Sequence, residues 1–340
     1  MKNISSFFIP PIVITILLIV GAFYAFSEFK SLEEENIYSS LKALNESTVQ
    51  GLESKVELLK KNGKLSVSYI LKDQDLVKKI KSNDERANSL INLKLNKLLK
   101  PALASFNFEG FFLINLNGIN IGSTRQSNLN KTNLVILKDK NSWDTVLKTK
   151  EAVLTKIIPS DVRLRRNGNL VDKSDTAFIM APLIDNNGEV FAVFMFRVNP
   201  DEIYKKILEK GKIGNSGKSF ILTDEGRVIG KSRFLKGSIN KSAHNPKLSS
   251  TLVADEITRK KSGSNIKGFI DHRGVRVAGA WTWSNQLKFG IASEVDFDEV
   301  MKPIIEFKKY IFLGVAIILP IVWVLFIKLI NSYKLLALKN

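Results

Sequence analysis

The sequence predicts an α+β fold. Two tandem copies of one mixed unit, each with a central antiparallel sheet, sit on a long N-terminal helix and are flanked by two transmembrane helices. Three observations predict it: a hairpin-forming segment occurs twice, an apolar stripe at helical spacing precedes the first copy, and two long uncharged apolar runs bracket the rest. Residues 111–125 read FFLINLNGINIGSTR and residues 219–233 read SFILTDEGRVIGKSR. At an offset of 108, Phe112 falls on Phe220, Gly118 on Gly226, Ile121 on Ile229, Gly122 on Gly230 and Arg125 on Arg233. An apolar run, a polar turn with one glycine and a short second run are the marks of a β-hairpin. A second pair keeps the same order: TAFIMAPLIDNNGEVFAVFMFRV (176–198) aligns without gaps on GVRVAGAWTWSNQLKFGIASEVD (274–296) at an offset of 98.

Taken in order, residues 1–6 form a cytoplasmic N-terminus and 7–27 a first transmembrane helix. No charge falls between Phe7 and Phe26, and about 20 such residues match the bilayer's hydrocarbon thickness. A cleaved signal peptide fits less well, because no small-x-small cleavage site precedes Glu28. Residues 28–105 form stalk helices. Ile37, Leu41, Leu44, Thr48, Leu52, Val56 and Leu59 recur at three- and four-residue steps, a charged stretch around Lys72–Glu85 interrupts them, and a further helix covers 86–105. The first unit spans 106–210, with hairpin 110–124, an irregular or helical stretch around Trp143, a strand near 152–158, strands 176–184 and 189–198, and a short helix 201–209 capped by Asn199. The second spans 211–308, with hairpin 219–232, a helix near 248–261, strands 265–271, 274–282 and 288–295, and a last helix 297–307. A second transmembrane helix at 310–330 and a short cytoplasmic tail at 331–340 close the chain. The basic ends place both termini in the cytoplasm. Residues 28–309 then face the periplasm or exterior of a bacterial inner membrane, and the ten residues after Ile330 are too few for an output domain.

Fifty-one Lys and Arg against thirty-three Asp and Glu give a net charge of +18. Nucleic acid, anionic lipid or an acidic ligand would each suit that surplus, but the lysines are dispersed, which reads first as a solvated surface and gives no case for nucleic acid. The chain has no cysteine, which excludes disulfides and thiolate chemistry.

IPSDVRL (158–164), IMAPLIDNNGEV (179–190), KIGNSGKSFILTDEGRVIGKSRF (212–234) and HRGVRVAGAWTWSNQLKFGIASEVDFDEVMKPI (272–304) carry a resemblance. With the two anchoring helices and long leading helix, they resemble the double Cache (PAS-like) sensor domains of bacterial transmembrane receptors, over about 28–308. The resemblance implies a periplasmic sensor used in signal transduction such as chemotaxis. Its membrane-distal unit would hold a small solute and its second span would move. The output would come from a cytoplasmic protein in trans, since the sequence carries no such module. A homodimer through the 28–61 helix is the expected assembly. Amino-acid-binding relatives carry an Arg-x-Trp-Tyr cluster and an acid in the last distal strand. Here QSNLNKTNLVIL follows Arg125, and Phe194 falls where the acid would sit, so an amino-acid ligand is not expected.

The resemblance places the loop containing Asp161 over the distal pocket. With Arg163, Arg165 and Arg166 it is basic and would favour an anionic solute; it reads equally well as an exposed basic loop. Arg125, Asp161, Arg163, Phe178, Met180 and Asp185 are the candidate ligand-binding residues. Phe178 and Met180 share one strand face and suit either pocket or core. Arg125 and Arg233 end equivalent hairpins, a place that suits a structural ion pair, and Arg125 could instead meet an anion. GKIGNSGKS (211–219) fails the phosphate-loop spacing, because Lys212 stands where its first glycine belongs. His244 and His272 lie far apart without cysteine, so no metal or cofactor is expected, and no acid–base constellation suggests an enzyme. Trp281 and Trp283 read as packing residues. The competing function is a membrane-anchored adaptor whose units bind a protein or envelope polymer, without a solute.

Overall fold

A computed structural model describes residues 9–166, 168–229 and 251–337 of the chain. Expectations for residues 1–8, Gly230, Arg233, the end of the second hairpin, His244, the start of the helix near 248 and Lys339 lie outside them. The chain forms two compact units, one of residues up to 40 with those from 296 on, the other of residues 41–295.

In the first unit, the N-terminal part of helix α1 (Ile9–Leu71) accompanies α8 (Phe297–Ala337). Phe29 stacks on Phe307 with ring centroids 4.0 Å apart, Phe26 tilts against Phe312, and the Trp323 indole donates to Thr15 Oγ1 at 3.1 Å. Ile16, Leu17, Phe23, Ile317, Ile321 and Leu325 are exposed. Both helices are long and apolar enough to cross a membrane.

The second unit contains the rest of α1, then α2 (Gln74–Ser82), α3 (Asn88–Phe106) and two antiparallel sheets. The charged stretch expected to interrupt the helices is itself helical: Asp73 caps α2 by accepting from Leu76 N at 3.1 Å, and Leu76 and Ile80 are buried beneath its lysines. Strands β1 (Gly110–Asn115) and β2 (Asn120–Ser123) form the first hairpin. After α4 (Leu134–Lys138) and α5 (Lys140–Thr149) come β3 (Val153–Leu154), β4 (Ile158–Pro159), β5 (Leu164–Arg166), β6 (Asn169–Val171), β7 (Asp175–Ile184) and β8 (Val190–Val198). The first sheet runs β2-β1-β8-β7-β3, with β4 also on β7, and β5–β6 is a separate hairpin. Helix α6 (Pro200–Lys210) leads to β9 (Lys218–Leu222) and β10 (Val228–Ile229), followed by α7 (Leu252–Thr258), β11 (Gly263–Ile270), β12 (Arg276–Ser284) and β13 (Phe289–Asp296). The second sheet runs β10-β9-β13-β12-β11.

One apolar core backs both sheets. Leu52, Val56, Leu59, Val67 and Ile70 of α1 join Ile179, Ala181, Phe194 and Phe196 of the first sheet and Ile221, Phe289 and Ile291 of the second. Gly63 allows the close approach, since a Cβ there would stand 3.1 Å from Ile179 Cγ2. The apolar stripe misses one buried polar residue, Asn45. Its amide donates to the carbonyls of Ala280 (3.3 Å) and Ile291 (3.1 Å), and its oxygen accepts from Thr282 Oγ1 at 2.6 Å.

Side chains on the other sheet faces form separate clusters. Trp143, Val146, Phe178, Met180, Val193 and Met195 cover the first. Phe220, Leu222, Val253, Ile257, Trp281 and Ala292 cover the second, with Trp283 partly buried beside them.

Candidate functional site

Beside the small cluster on the first sheet, a cavity of about 270 Å³ opens between β1, the end of β2, β5 and the end of β8. Its lining includes Phe112, Ser123, Thr124, Arg125, Asn128 and Leu164, with Glu109, Arg165, Arg166 and Arg197 supplying the charge. The volume lies just under the ~300 Å³ lower end for drug-sized ligands, so the occupant is small.

Arg197 is the centre of the site. It sits near the end of β8 directly opposite Gly110 of β1, and a Cβ at Gly110 would fall 2.8 Å from Thr124 Oγ1. The absence of a side chain there lets Thr124 pack against β1 at the cavity wall. The Arg197 guanidinium lies over two aromatic rings, 5.8 Å from the Phe112 centroid and 5.2 Å from that of Phe178. No carboxylate pairs with it among the described residues. Burial pushes its pKa down to about 10, helped by repulsion from Arg125 and Arg166 and opposed by the more distant Asp161 carboxylate. It is still a cation at neutral pH.

The other charges are distributed unevenly. Arg166 is occupied: it pairs with Glu109, donates to Ser174 Oγ at 2.9 Å and donates to the Asp175 carbonyl at 3.2 Å. Glu109, the single carboxylate of the lining, is therefore engaged. Arg125 donates to the Arg163 carbonyl at 2.8 Å and has no acidic partner among the described residues, and both Arg125 and Arg165 are exposed at the rim. A carboxylate or other anion would find Arg197 and Arg125, the hydroxyls of Ser123 and Thr124 and the Asn128 amide.

The six candidate residues are dispersed. Arg125 lines the cavity. Phe178 lies beneath Arg197 with its ring against Phe112 at 5.9 Å, and Met180 is fully buried farther along β7. Asp161 pairs with Lys138, and the Arg163 side chain turns to Asp172 at 2.8 Å, leaving only its carbonyl to Arg125. Asp185 organises the β7–β8 turn: it accepts from the amides of Asn187 and Glu189 and from Lys81, and these bonds hold its carboxyl below the usual range. The sequence reading missed Arg197, although a lone charge in VFAVFMFRV was the available signal. Phe194, given there the place of the acid, belongs to the face against α1.

A second polar cluster lies in the other sheet. The Lys218 ammonium is buried between Asp271 (2.7 Å) and Glu294 (3.0 Å), and Arg273 donates to Asp271 at 2.6 Å. His272 stands beside them. Its pKa is pushed down to about 4, first by burial and then by Lys218. Among the described residues, Asp271, His272 and Glu294 are the group whose ligating atoms lie close enough to hold a metal, within 4.8 Å of one another. The ammonium already takes the cation's place between the two carboxylates.

Among the described residues, polar side-chain contacts that tie the sheets include Lys156 with Asp224, Arg227 with Asp175, and Lys288 with the Ser142 hydroxyl. Asp175 carries the carbonyl that Arg166 holds, so a residue of the cavity wall is one link from the second sheet.

The Cache domain family model matches residues 35–304. No curated protein sequence matches the chain. The periplasmic sensory domain of the Campylobacter jejuni chemoreceptor Tlp1 is similar in fold, with a TM-score of 0.50 at 11% identity over 80% of this chain and 99% of that one. The ligand-binding domain of Campylobacter jejuni chemoreceptor Tlp3, in complex with 4-methylisoleucine, gives a TM-score of 0.46 at 17% identity over 78% and 94%. That of the Pseudomonas aeruginosa amino acid chemoreceptor PctB, in complex with L-Gln, gives 0.45 at 15% over 76% and 91%.

Proposed function

The chain belongs to the Cache domain family, and from that premise we propose that it is a transmembrane sensory receptor of the bacterial inner membrane. Its sensor region, 28–308, faces the periplasm or exterior, the unit over 106–210 is membrane-distal, and both termini are cytoplasmic. A small anionic solute enters the cavity beside β1 and β8, and its preference for one arrangement of the sensor region displaces the second span. That shift is limited by the difference in affinity between the two arrangements. The chain acts by binding, without catalysis.

The observation that carries this reading is Arg197, a cation lining the cavity with no carboxylate in ion-pair contact among the described residues. A buried unpaired charge is costly in a folded protein, and such groups concentrate where a ligand completes the site. A thermal-shift screen of the purified full chain in detergent, against organic acids, amines, amino acids and nucleobases, tests it. A reproducible rise in midpoint with one class is expected, equivalent to ~2.7 kcal/mol at a hundredfold excess over Kd. Silence from a well-folded sample across the panel contradicts a solute sensor.

A further inference from the structure

The reading above leaves the chemical class of the solute open, and the internal repeat narrows it. Phe112 and Phe220 correspond in the two hairpins. In the first sheet Phe112 pairs with Met195 and Gly110 with Arg197; in the second, Phe220 pairs with Ala292 and Lys218 with Glu294. Gly110 is therefore the counterpart of Lys218, and Arg197 the counterpart of Glu294. In the second sheet this place is filled by the protein itself, a buried Lys218–Glu294 ion pair reinforced by Asp271. In the first sheet one charge is present and a glycine stands opposite it, and both residues line the cavity.

We infer that a carboxylate of the solute takes that vacant half of the pair, and that the solute is a short dicarboxylate rather than an amino acid; this rests on the sensor reading. The first carboxylate meets Arg197 across the Phe112 and Phe178 rings. The second is called for by Arg125 and Arg165, which have no acidic partner among the described residues, while Arg166 is neutralised by Glu109. A monoanion would engage Arg197 and leave the two exposed rim cations, Arg125 and Arg165, to solvent. An α-ammonium would add charge of the wrong sign where the lone carboxylate is already engaged, leaving a buried cation without a partner. The small cavity limits the carbon chain between the two acids.

Isothermal titration of the full chain in detergent, with succinate, butyrate, aspartate, glutamine and inorganic phosphate as probes, tests this. Succinate is expected to bind about tenfold or more tighter than butyrate, aspartate or phosphate, a difference of one charge-assisted contact. Arg197→Met should abolish succinate binding without lowering the melting midpoint of the ligand-free protein, as removal of an unpaired cation requires; a purely structural arginine would lower it. Arg125→Met should weaken succinate toward butyrate while leaving butyrate unchanged. Aspartate or glutamine binding through Arg197 as well as succinate does, or phosphate matching it, overturns the dicarboxylate assignment and leaves the sensor reading standing. Succinate binding that survives Arg197→Met overturns the site. Silence from every probe counts against both readings.

Discussion

Lys218, Asp271 and Glu294 are a closed electrostatic system, each almost fully buried, and the response of each follows from the others. Burial opposes ionisation of Asp271, but the Lys218 and Arg273 hydrogen bonds outweigh it and hold the carboxyl down at about 2. A carboxyl depressed in the folded state contributes stability above its unfolded pKa, about 3.9, and loses it as pH falls through about 2. Glu294 moves the other way, because burial raises its pKa and Lys218 only partly opposes that. Lys218→Met leaves both carboxylates without the ammonium, and the expected loss at pH 7 is about 3–5 kcal/mol, read by chemical denaturation. With Glu294 raised further, the folded variant binds a proton that the unfolded chain does not. The deficit should therefore shrink as pH falls from 7 toward about 4.3. A deficit that grows on acidification would contradict this assignment. Asn45 is the neutral counterpart: Asn45→Ala strands the buried Ala280 and Ile291 carbonyls and the Thr282 hydroxyl, and should cost about 1–3 kcal/mol.

At the scale of elements, the link between the sheets is the point of interest. Burial raises the Asp175 carboxyl and Arg227 opposes the shift, so the pair is a partly desolvated contact between β7 and the β9–β10 turn. A double-mutant cycle of Asp175→Asn and Arg227→Leu should give a coupling energy of about 0.5–3 kcal/mol; additivity would show that the contact carries nothing between the sheets. Strands also explain what could be read from the sequence. The hairpins were legible because turn glycines and alternating apolar runs are local signals, and α1 because its stripe persists over many turns. The site was not, because the second repeat pair was aligned at 98. The pairing of β8 with β1 and β13 with β9 requires Met195, not Phe194, to match Ala292. A slip of one residue turns every side chain to the opposite face. The resemblance likewise gave the acid's place to Phe194, which packs under α1, and Arg197 on the opposite face went unnoticed. The β5–β6 hairpin, which contributes Leu164, Arg165 and Arg166 to the wall, read as a loop because its three-residue arms are too short to show an alternating pattern.

At the scale of the whole molecule, the account is of a membrane receptor, proposed as a homodimer through the 28–61 helix. Leu58 is exposed on that helix, and the chain has no native cysteine. Leu58→Cys in membranes should form a covalent dimer on mild oxidation, and a chain that stays monomeric on a denaturing gel would contradict this arrangement. The central claim is where the solute sits. Hydrogen–deuterium exchange of the full chain in nanodiscs, with and without saturating succinate, tests it most directly. The account predicts slowed exchange in 109–112, 123–128, 164–166 and around Arg197, with Lys218–Leu222 and Phe289–Asp296 changed less. Protection confined to the second sheet, or none while succinate is bound, would contradict it.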